Sequence, residues 1–273
     1  WLGTSFLLEN QGNRNFELYG ADAQISLGDS ARLVAEVAHS ESDFDLSGPI
    51  SGSAYRVELD GSMGDWLNGR AYWRSTDAGF TNAATTSFVP GQTRYGGQAS
   101  IKLSSNTSIR AQIDHEDNFG TAPRPLTDLD DLLAPGLSPV PGSRVDNSLT
   151  TYSLGLAQRL GNTNLEFDWI RRDRTDRTNP DLFDVSSDQL RTRFTTRLSN
   201  TLTLRAQNEL TISSESDPIY PSRTYVGLDW EFMPGMKLGL GQVFYGDDGL
   251  SDRDSYTIFD LSGERSLGAD TKI

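Results

Sequence analysis

The most constraining feature of the sequence is segment 191–212, RTRFTTRLSNTLTLRAQNELTI, in which two long alternating stretches flank one tight turn at 198–201. Apolar residues and threonine alternate with arginine before the turn and with arginine, glutamine and glutamate after it. Because successive side chains of a strand point to opposite sides, this pattern predicts a hairpin with one apolar and one charged face. Each arm has about twelve residues, whereas strands usually have about five or six. A tilted strand crosses a bilayer with roughly nine to eleven residues, so both arms are long enough to span a membrane.

The tight turn recurs along the chain. Seven segments close a strand with Leu or Met and continue with Gly, Asn, Asp or Ser, and they begin at Leu27, Met63, Leu103, Leu160, Leu198, Met233 and Leu267. Their spacing is 34 to 40 residues, apart from one spacing of 57. This period indicates a repeated unit of strand, tight turn, strand and longer loop. The sequence therefore predicts fourteen strands, at about 1–10, 16–27, 31–42, 53–63, 66–76, 92–104, 107–118, 147–160, 163–175, 186–198, 201–213, 222–233, 236–246 and 256–267.

The repeated unit favours an all-β fold, an antiparallel transmembrane β-barrel of about 14 or more strands with short periplasmic turns and longer extracellular loops. The alternative is a large soluble sandwich, whose inner face would be wholly apolar. Charged residues instead occupy every second position over long arms, as in 55–60, where Tyr, Val and Leu alternate with Arg, Glu and Asp. We therefore expect a single barrel domain over 1–273, and the turn signature at 267–273 leads us to expect that the natural chain continues.

Composition narrows the function further. The chain has no cysteine and a net charge of −14, so disulfides and thiolate metal sites are excluded and nucleic acid is not expected as a partner. The mean hydropathy is −0.49, and no apolar run approaches the length of a transmembrane helix. A low mean hydropathy does not argue against a barrel, because half of each strand faces a polar interior. An acidic loop over 247–254 lacks the spacing of a calcium loop, and we expect no metal or other cofactor.

A proline-rich insertion at 119–146 interrupts the repeat and contains five of the eleven prolines, so it does not form a strand pair. Its segment 127–136 predicts about two helical turns. We expect either that the insertion folds into the barrel mouth or that it forms an external lid. In the first case, opposed acids and bases would set pore size and ion preference. The candidate constriction residues are Arg110, Arg191, Arg193, Arg205, Glu209, Asp128, Asp130 and Asp131.

Two histidines, His39 and His115, are the only histidines of the chain. Both fall on the apolar phase of their predicted strands, near the strand ends. Ser40 and Ser42 follow the first, and the acidic pair 116–117 follows the second. The sequence fixes neither histidine in the geometry of a catalytic triad, and it therefore predicts that the chain is not an enzyme.

The chain resembles Gram-negative outer-membrane β-barrels over essentially its whole length. Within that class, four segments are similar to the C-terminal barrel domains of large modular envelope proteins: FVPGQTRYGGQ, NFGTAPRPLTDLDDLLAPG, SRVDNSLTTYSLGLAQRLG and DPIYPSRTYVGLDWEFMPG. The resemblance implies a place in the outer membrane. It implies contact with membrane lipid and lipopolysaccharide, the barrel assembly machinery and other envelope proteins. It also implies a porin-like channel for small polar solutes or, alternatively, a structural anchor or export partner for a larger surface protein.

Overall fold

The computed structural model of the protein describes residues 1–11, 14–44, 48–81, 90–121, 144–246, 255–263, 266–268 and 271–272. The strands are β1 (Leu2–Gln11), β2 (Arg14–Leu27), β3 (Ala31–Phe44), β4 (Gly48–Met63), β5 (Leu67–Thr76), β6 (Gln92–Lys102), β7 (Thr107–Thr121), β8 (Arg144–Leu160), β9 (Thr163–Asp176), β10 (Val185–Arg197), β11 (Leu202–Thr211), β12 (Arg223–Met233), β13 (Met236–Tyr245), β14 (Tyr256–Gly263), β15 (Ser266–Gly268) and β16 (Thr271–Lys272). One helical turn, α1 (Pro180–Phe183), precedes β10. The described part of the chain contains no helix that is both long and apolar enough to cross a membrane.

The first fourteen strands form one antiparallel sheet in which each strand pairs with its neighbours in the sequence, from β1 to β14. Strands β15 and β16 form a separate two-stranded hairpin. Most strands have ten or more residues, as the long alternating stretches predict. The prediction of fourteen long antiparallel strands is confirmed.

Tight turns connect the strands where glycine adopts a positive φ. Gly28, Gly64, Gly161 and Gly235 have φ angles of 67°, 55°, 60° and 79°. Side chains with a Cβ rarely adopt this left-handed region, whereas glycine does so at little cost. The turns lie where the repeated Leu or Met followed by a turn residue predicts them.

Several strand ends differ from the prediction by one to three residues, and two differ by more. Strand β4 begins at Gly48 rather than at 53, because β3 extends to Phe44 and supplies a partner there, with Pro49 opposite Asp43. Proline is tolerated near the beginning of a strand, since it lacks only one donor of the ladder. Strand β14 ends at Gly263 rather than at 267.

The sheet has two chemically different faces. The apolar face carries a cross-strand row through β11, β12, β13 and β14 that consists of Leu204, Leu228, Leu240 and Phe259. Leu228 and Phe259 are 40% and 66% exposed. The charged face lies on the alternate positions, where Arg191 is opposite Glu209. So many exposed apolar side chains on one face require an apolar environment.

The chain divides into two compact units. Unit 1 consists of Trp1–Ile101, Ala111–Tyr152 and Arg172–Asp184, and unit 2 consists of Lys102–Arg110, Ser153–Arg171 and Val185–Ile273. Each unit carries part of the charged face. The single barrel domain over 1–273 stays a prediction.

Candidate functional site

In unit 1, three arginines of the charged face surround the carboxylate of Glu58. The Glu58 side chain is only 4% exposed, and it accepts hydrogen bonds from Arg56 at 2.8 Å, Arg70 at 2.7 Å and Arg74 at 2.5 Å. Tyr72 lies opposite Glu58 in the pairing of β4 with β5, and the guanidinium groups of Arg70 and Arg74 lie 5.6 and 5.8 Å from its ring centroid. Charge-assisted hydrogen bonds and cation–π contacts therefore fix the orientation of these arginines.

Further acids and bases extend this group, which we call the Glu58 cluster. Its members are Arg32, Arg56, Arg70, Arg74, Glu36, Glu58 and Asp60. Arg56 also contacts Glu36 at 3.1 Å, and Asp60 accepts a hydrogen bond from Arg32 at 3.1 Å. With four arginines and three carboxylates, the cluster has one excess positive charge.

In unit 2, a second group forms around Asp168, whose side chain is 3% exposed. Arg191 and Arg193 contact one carboxylate oxygen at 3.1 and 3.0 Å, and Arg110 contacts the other at 3.4 Å. Arg110 and Arg193 each also contact Glu166 at 2.6 Å. This Asp168 cluster thus consists of three arginines and two carboxylates, again with one excess positive charge. It brings together three of the predicted constriction residues.

The other predicted constriction residues lie elsewhere. Arg205 pairs with Asp229 at 2.6 Å, and Glu209 pairs with Arg223 at 2.6 Å. Three acidic residues of the prediction lie outside the described residues: Asp128, Asp130 and Asp131. The part that all of these residues play in a constriction stays a prediction.

A loop segment that the sequence analysis missed, residues 77–81, packs on the charged face of unit 1. Phe80 is 1% exposed and packs against Leu18 and Ala54. The N–H of Thr81 donates a hydrogen bond to the hydroxyl of Ser40 at 2.9 Å. Ala54 is two residues from an arginine of the Glu58 cluster on the same face of β4. The segment therefore covers the charged face beside that cluster.

Unit 2 contains a similar segment, residues 217–220. The N–H of Tyr220 donates to the carbonyl oxygen of Asp217 at 3.0 Å, and the N–H of Phe80 donates to that of Asp77 at 3.0 Å. Gln189, which is 2% exposed, donates to the carbonyl of Tyr220 at 2.5 Å. Gln189 lies on the charged face of β10, two residues from an arginine of the Asp168 cluster. The only signal that the two segments share in the sequence is an aspartate three residues before an aromatic residue, in the loop that follows a long strand.

The contact between segment 77–81 and β4 is so close that one added methyl group, the Cβ of an alanine on β4, tests it. A Cβ on Gly52 would overlap the backbone nitrogen of Phe80, so Gly52→Ala is expected to displace the segment from the charged face. Chymotrypsin cleavage after Phe80 in the folded protein, followed by mass spectrometry, should then become at least about tenfold faster. The matched control is Gly69→Ala, because the nearest atom to a Cβ there is 3.7 Å away. Equal cleavage of both variants would contradict this packing.

Each histidine lies on the apolar face between a hydroxyl group and a carboxylate. The contacts are His39 Nδ1 to Ser53 Oγ at 3.0 Å, His39 Nε2 to Glu41 at 3.3 Å, His115 Nδ1 to Thr150 Oγ1 at 2.7 Å and His115 Nε2 to Asp117 at 2.8 Å. These neighbours come from adjacent strands as well as from the same strand. Asp117 belongs to the acidic pair that follows His115 in the sequence, whereas the hydroxyl beside His39 is that of Ser53 and not of Ser40 or Ser42. The described residues contain no group of three or more histidine, aspartate or glutamate side chains positioned to hold a metal ion.

No protein-family model and no curated protein matches the chain. Solved structures do. The siderophore receptor PirA of Pseudomonas aeruginosa matches 96% of this chain and 51% of its own at a TM-score of 0.55 and 14% identity. A variant of the ferric enterobactin receptor PfeA of the same organism matches 95% of this chain and 47% of its own at a TM-score of 0.55 and 12% identity. A loop-deleted OmpT, an outer-membrane protein of Vibrio cholerae, matches 95% of this chain and 97% of its own at a TM-score of 0.50 and 10% identity.

These similarities show the fold, which is that of Gram-negative outer-membrane β-barrels. The prediction of the fold class is confirmed, and so is the outer-membrane localisation, because the exposed apolar face requires lipid. The chain spans about half the length of the siderophore receptors that it matches. In this fold the charged face lines the interior. The narrower similarity to modular envelope proteins stays a prediction.

The prediction that the chain is not an enzyme is corrected by the same comparison. The structures that share the fold include OmpT beside the two receptors, so the fold does not place the chain in a single functional class, and a fold by itself does not exclude catalysis. The physical basis of the prediction also fails, because His39 and His115 each contact a hydroxyl group and a carboxylate. The prediction that the chain is not an enzyme is therefore withdrawn.

Proposed function

We propose that this outer-membrane barrel is a pore for small polar solutes. The observation that carries the proposal is the pair of arginine clusters on the face that lines the interior of such barrels. The three arginine side chains at Asp168 are 27% to 40% exposed, although the carboxylate that they share is buried. Fixed, solvated charges on an interior wall favour polar solutes over apolar ones.

Segments 77–81 and 217–220 add a steric element to this proposal. Each lies on the charged face of its own unit, beside an arginine cluster. Each therefore takes up interior space beside a cluster of fixed charges. We propose that these segments, together with the clusters, limit the size of the solute.

The second candidate function is a structural anchor or assembly partner that conducts little. The observation that favours it is the same packing of two loop segments onto the charged face, which occupies part of the space that a solute would need. Conductance separates the two functions.

The test is single-channel conductance of the purified, refolded protein in planar bilayers. Truncating a buried phenylalanine costs about 3–5 kcal/mol, which is enough to release a short segment, so Phe80→Ala is expected to give larger current steps than the wild-type protein. The matched control is Phe6→Ala, because Phe6 is 63% exposed and lies opposite Tyr19, on the apolar face. A folded, inserted barrel that passes no current in any of the three forms would contradict the pore and favour the anchor.

A further inference from the structure

Unit 2 contains a polar cleft at the tight-turn ends of its strands. The cleft has a volume of about 150 Å³. The side chains that line it belong to Arg159, Asn162, Asn164, Thr195, Arg197 and Thr203. No apolar side chain belongs to this lining, so the chemistry of the cleft is that of hydrogen-bond donors and acceptors.

The cleft is built from the ends of four strands. Arg159 is the last residue but one of β8, and Arg197 is the last residue of β10. The N–H of Arg197 donates to the carbonyl oxygen of Asn162 at 3.1 Å, which holds the turn between β8 and β9 against β10. Thr203, on β11, lies directly opposite Arg197. The register of β10 with β11 therefore places Arg197 beside Thr203.

The two arginines of the cleft differ from the other arginines on the charged face of unit 2. Five of those have a carboxylate partner: Arg110, Arg191, Arg193, Arg205 and Arg223. Within the part of the chain that the structure describes, no carboxylate oxygen lies within 4.0 Å of the side-chain nitrogens of Arg159 or Arg197. Two guanidinium groups that have no salt-bridge partner among the described residues thus line one small polar cleft.

We infer that this cleft binds a small soluble oxyanion of the phosphate or carboxylate class. Guanidinium groups match the oxygens of these anions with paired N–H donors, and the asparagine amides and threonine hydroxyls supply further donors. A water molecule occupies about 30 Å³ of liquid, so about 150 Å³ holds a phosphate-sized ion with some of its hydration. A cation is disfavoured by the two positive charges, and an apolar ligand would leave the lining without partners.

The inference goes beyond the proposed pore, because an oxyanion can bind here whether or not the barrel conducts. The folded protein in neutral detergent is titrated with inorganic phosphate by calorimetry, at constant ionic strength maintained with chloride so that general screening does not change. We expect saturable binding at one site. Loss of a charge-assisted hydrogen bond weakens binding by about tenfold or more, so Arg159→Gln combined with Arg197→Gln should weaken binding by about a hundredfold.

The control variant is Arg144→Gln, at the opposite end of β8, which should keep the wild-type affinity. A β-sheet circular dichroism spectrum equal to that of the wild type shows that each variant is folded. Wild-type affinity in the double variant, or no phosphate binding by the folded wild-type protein, would overturn the inference.

A second arm separates a soluble anion from a lipid headgroup. The phosphate titration is repeated in vesicles of phosphatidylcholine and in vesicles that also contain phosphatidylglycerol. Equal phosphate affinity in both supports a soluble oxyanion as the ligand. Loss of phosphate binding in the anionic vesicles alone would overturn that assignment in favour of a lipid phosphate at the same arginines.

Discussion

Leu228→Arg is expected to block assembly of the barrel, whereas Gln207→Arg is expected to leave it intact. Leu228 lies in the middle of β12 on the apolar face, between Leu204 and Leu240 in register, and is 40% exposed. An arginine on the lipid face at the bilayer midplane costs about 2–4 kcal/mol in such barrels. The same expectation holds for Leu204→Arg. Gln207 is on the charged face beside Glu209, to which it donates a hydrogen bond at 2.9 Å. An arginine there stays on the polar face and shares the Glu209 carboxylate with Arg223.

Assembly is measured as the fraction of protein that folds into lipid vesicles, from the difference in gel mobility between heated and unheated samples. The two substitutions introduce the same side chain on neighbouring strands, but Leu228→Arg places it on the apolar face and Gln207→Arg places it on the charged face. Equal folding of the Leu228→Arg and Gln207→Arg variants would contradict the assignment of the two faces.

Glu58→Gln is expected to lower the free energy of unfolding by about 2–4 kcal/mol. The substitution keeps the shape of the side chain but removes the charge that Arg56, Arg70 and Arg74 share. Leaving a buried ion pair without one partner typically costs about 3–5 kcal/mol, and the expected value is set lower because these arginines are 25% to 35% exposed. Equilibrium urea unfolding of the refolded protein measures the difference.

The matched control for this substitution is Asp60→Asn on the same strand. Asp60 is 34% exposed, and its partners are Arg32 at 3.1 Å and Arg70 at 3.7 Å. An exposed pair contributes about 0–1 kcal/mol, so this variant should unfold close to the wild type. A Glu58→Gln variant as stable as Asp60→Asn would show that the shared carboxylate does not stabilise the fold.

The sequence predicts the strands and turns well because their signals are local. Alternation along β10 and β11 identifies both faces before any pairing is known, and Gly28, Gly64, Gly161 and Gly235 mark turns because their backbone conformation needs glycine. The sequence also predicts part of the Glu58 cluster, since Arg56 and Glu58 are two residues apart on one strand and therefore share a face.

The rest depends on distances that no local pattern encodes. Asp168 contacts Arg110 from β7 and Arg191 from β10. Which residues meet is set by the stagger between these strands, and the alternation within a single strand does not encode that stagger. The packing of Phe80 was missed for a different reason. The segment Asp-Ala-Gly-Phe-Thr mixes polar and apolar residues and gives no sign of the face on which it will lie. The space for it exists only because Gly52 has no side chain.

The consecutive strand order from β1 to β14 has a consequence for how such a chain changes over evolution. Because every strand pairs with its neighbours in the sequence, inserting or deleting a whole hairpin changes the pairing only at the junction and leaves all other strand pairs in place. A sheet with crossover connections does not have this freedom, since removing one element there separates two others. Duplication of a segment of about 36 residues, the interval from Leu27 to Met63, therefore widens the sheet in one genetic step without altering the register elsewhere. Proteins with this topology can differ in strand number while each hairpin keeps its own internal design.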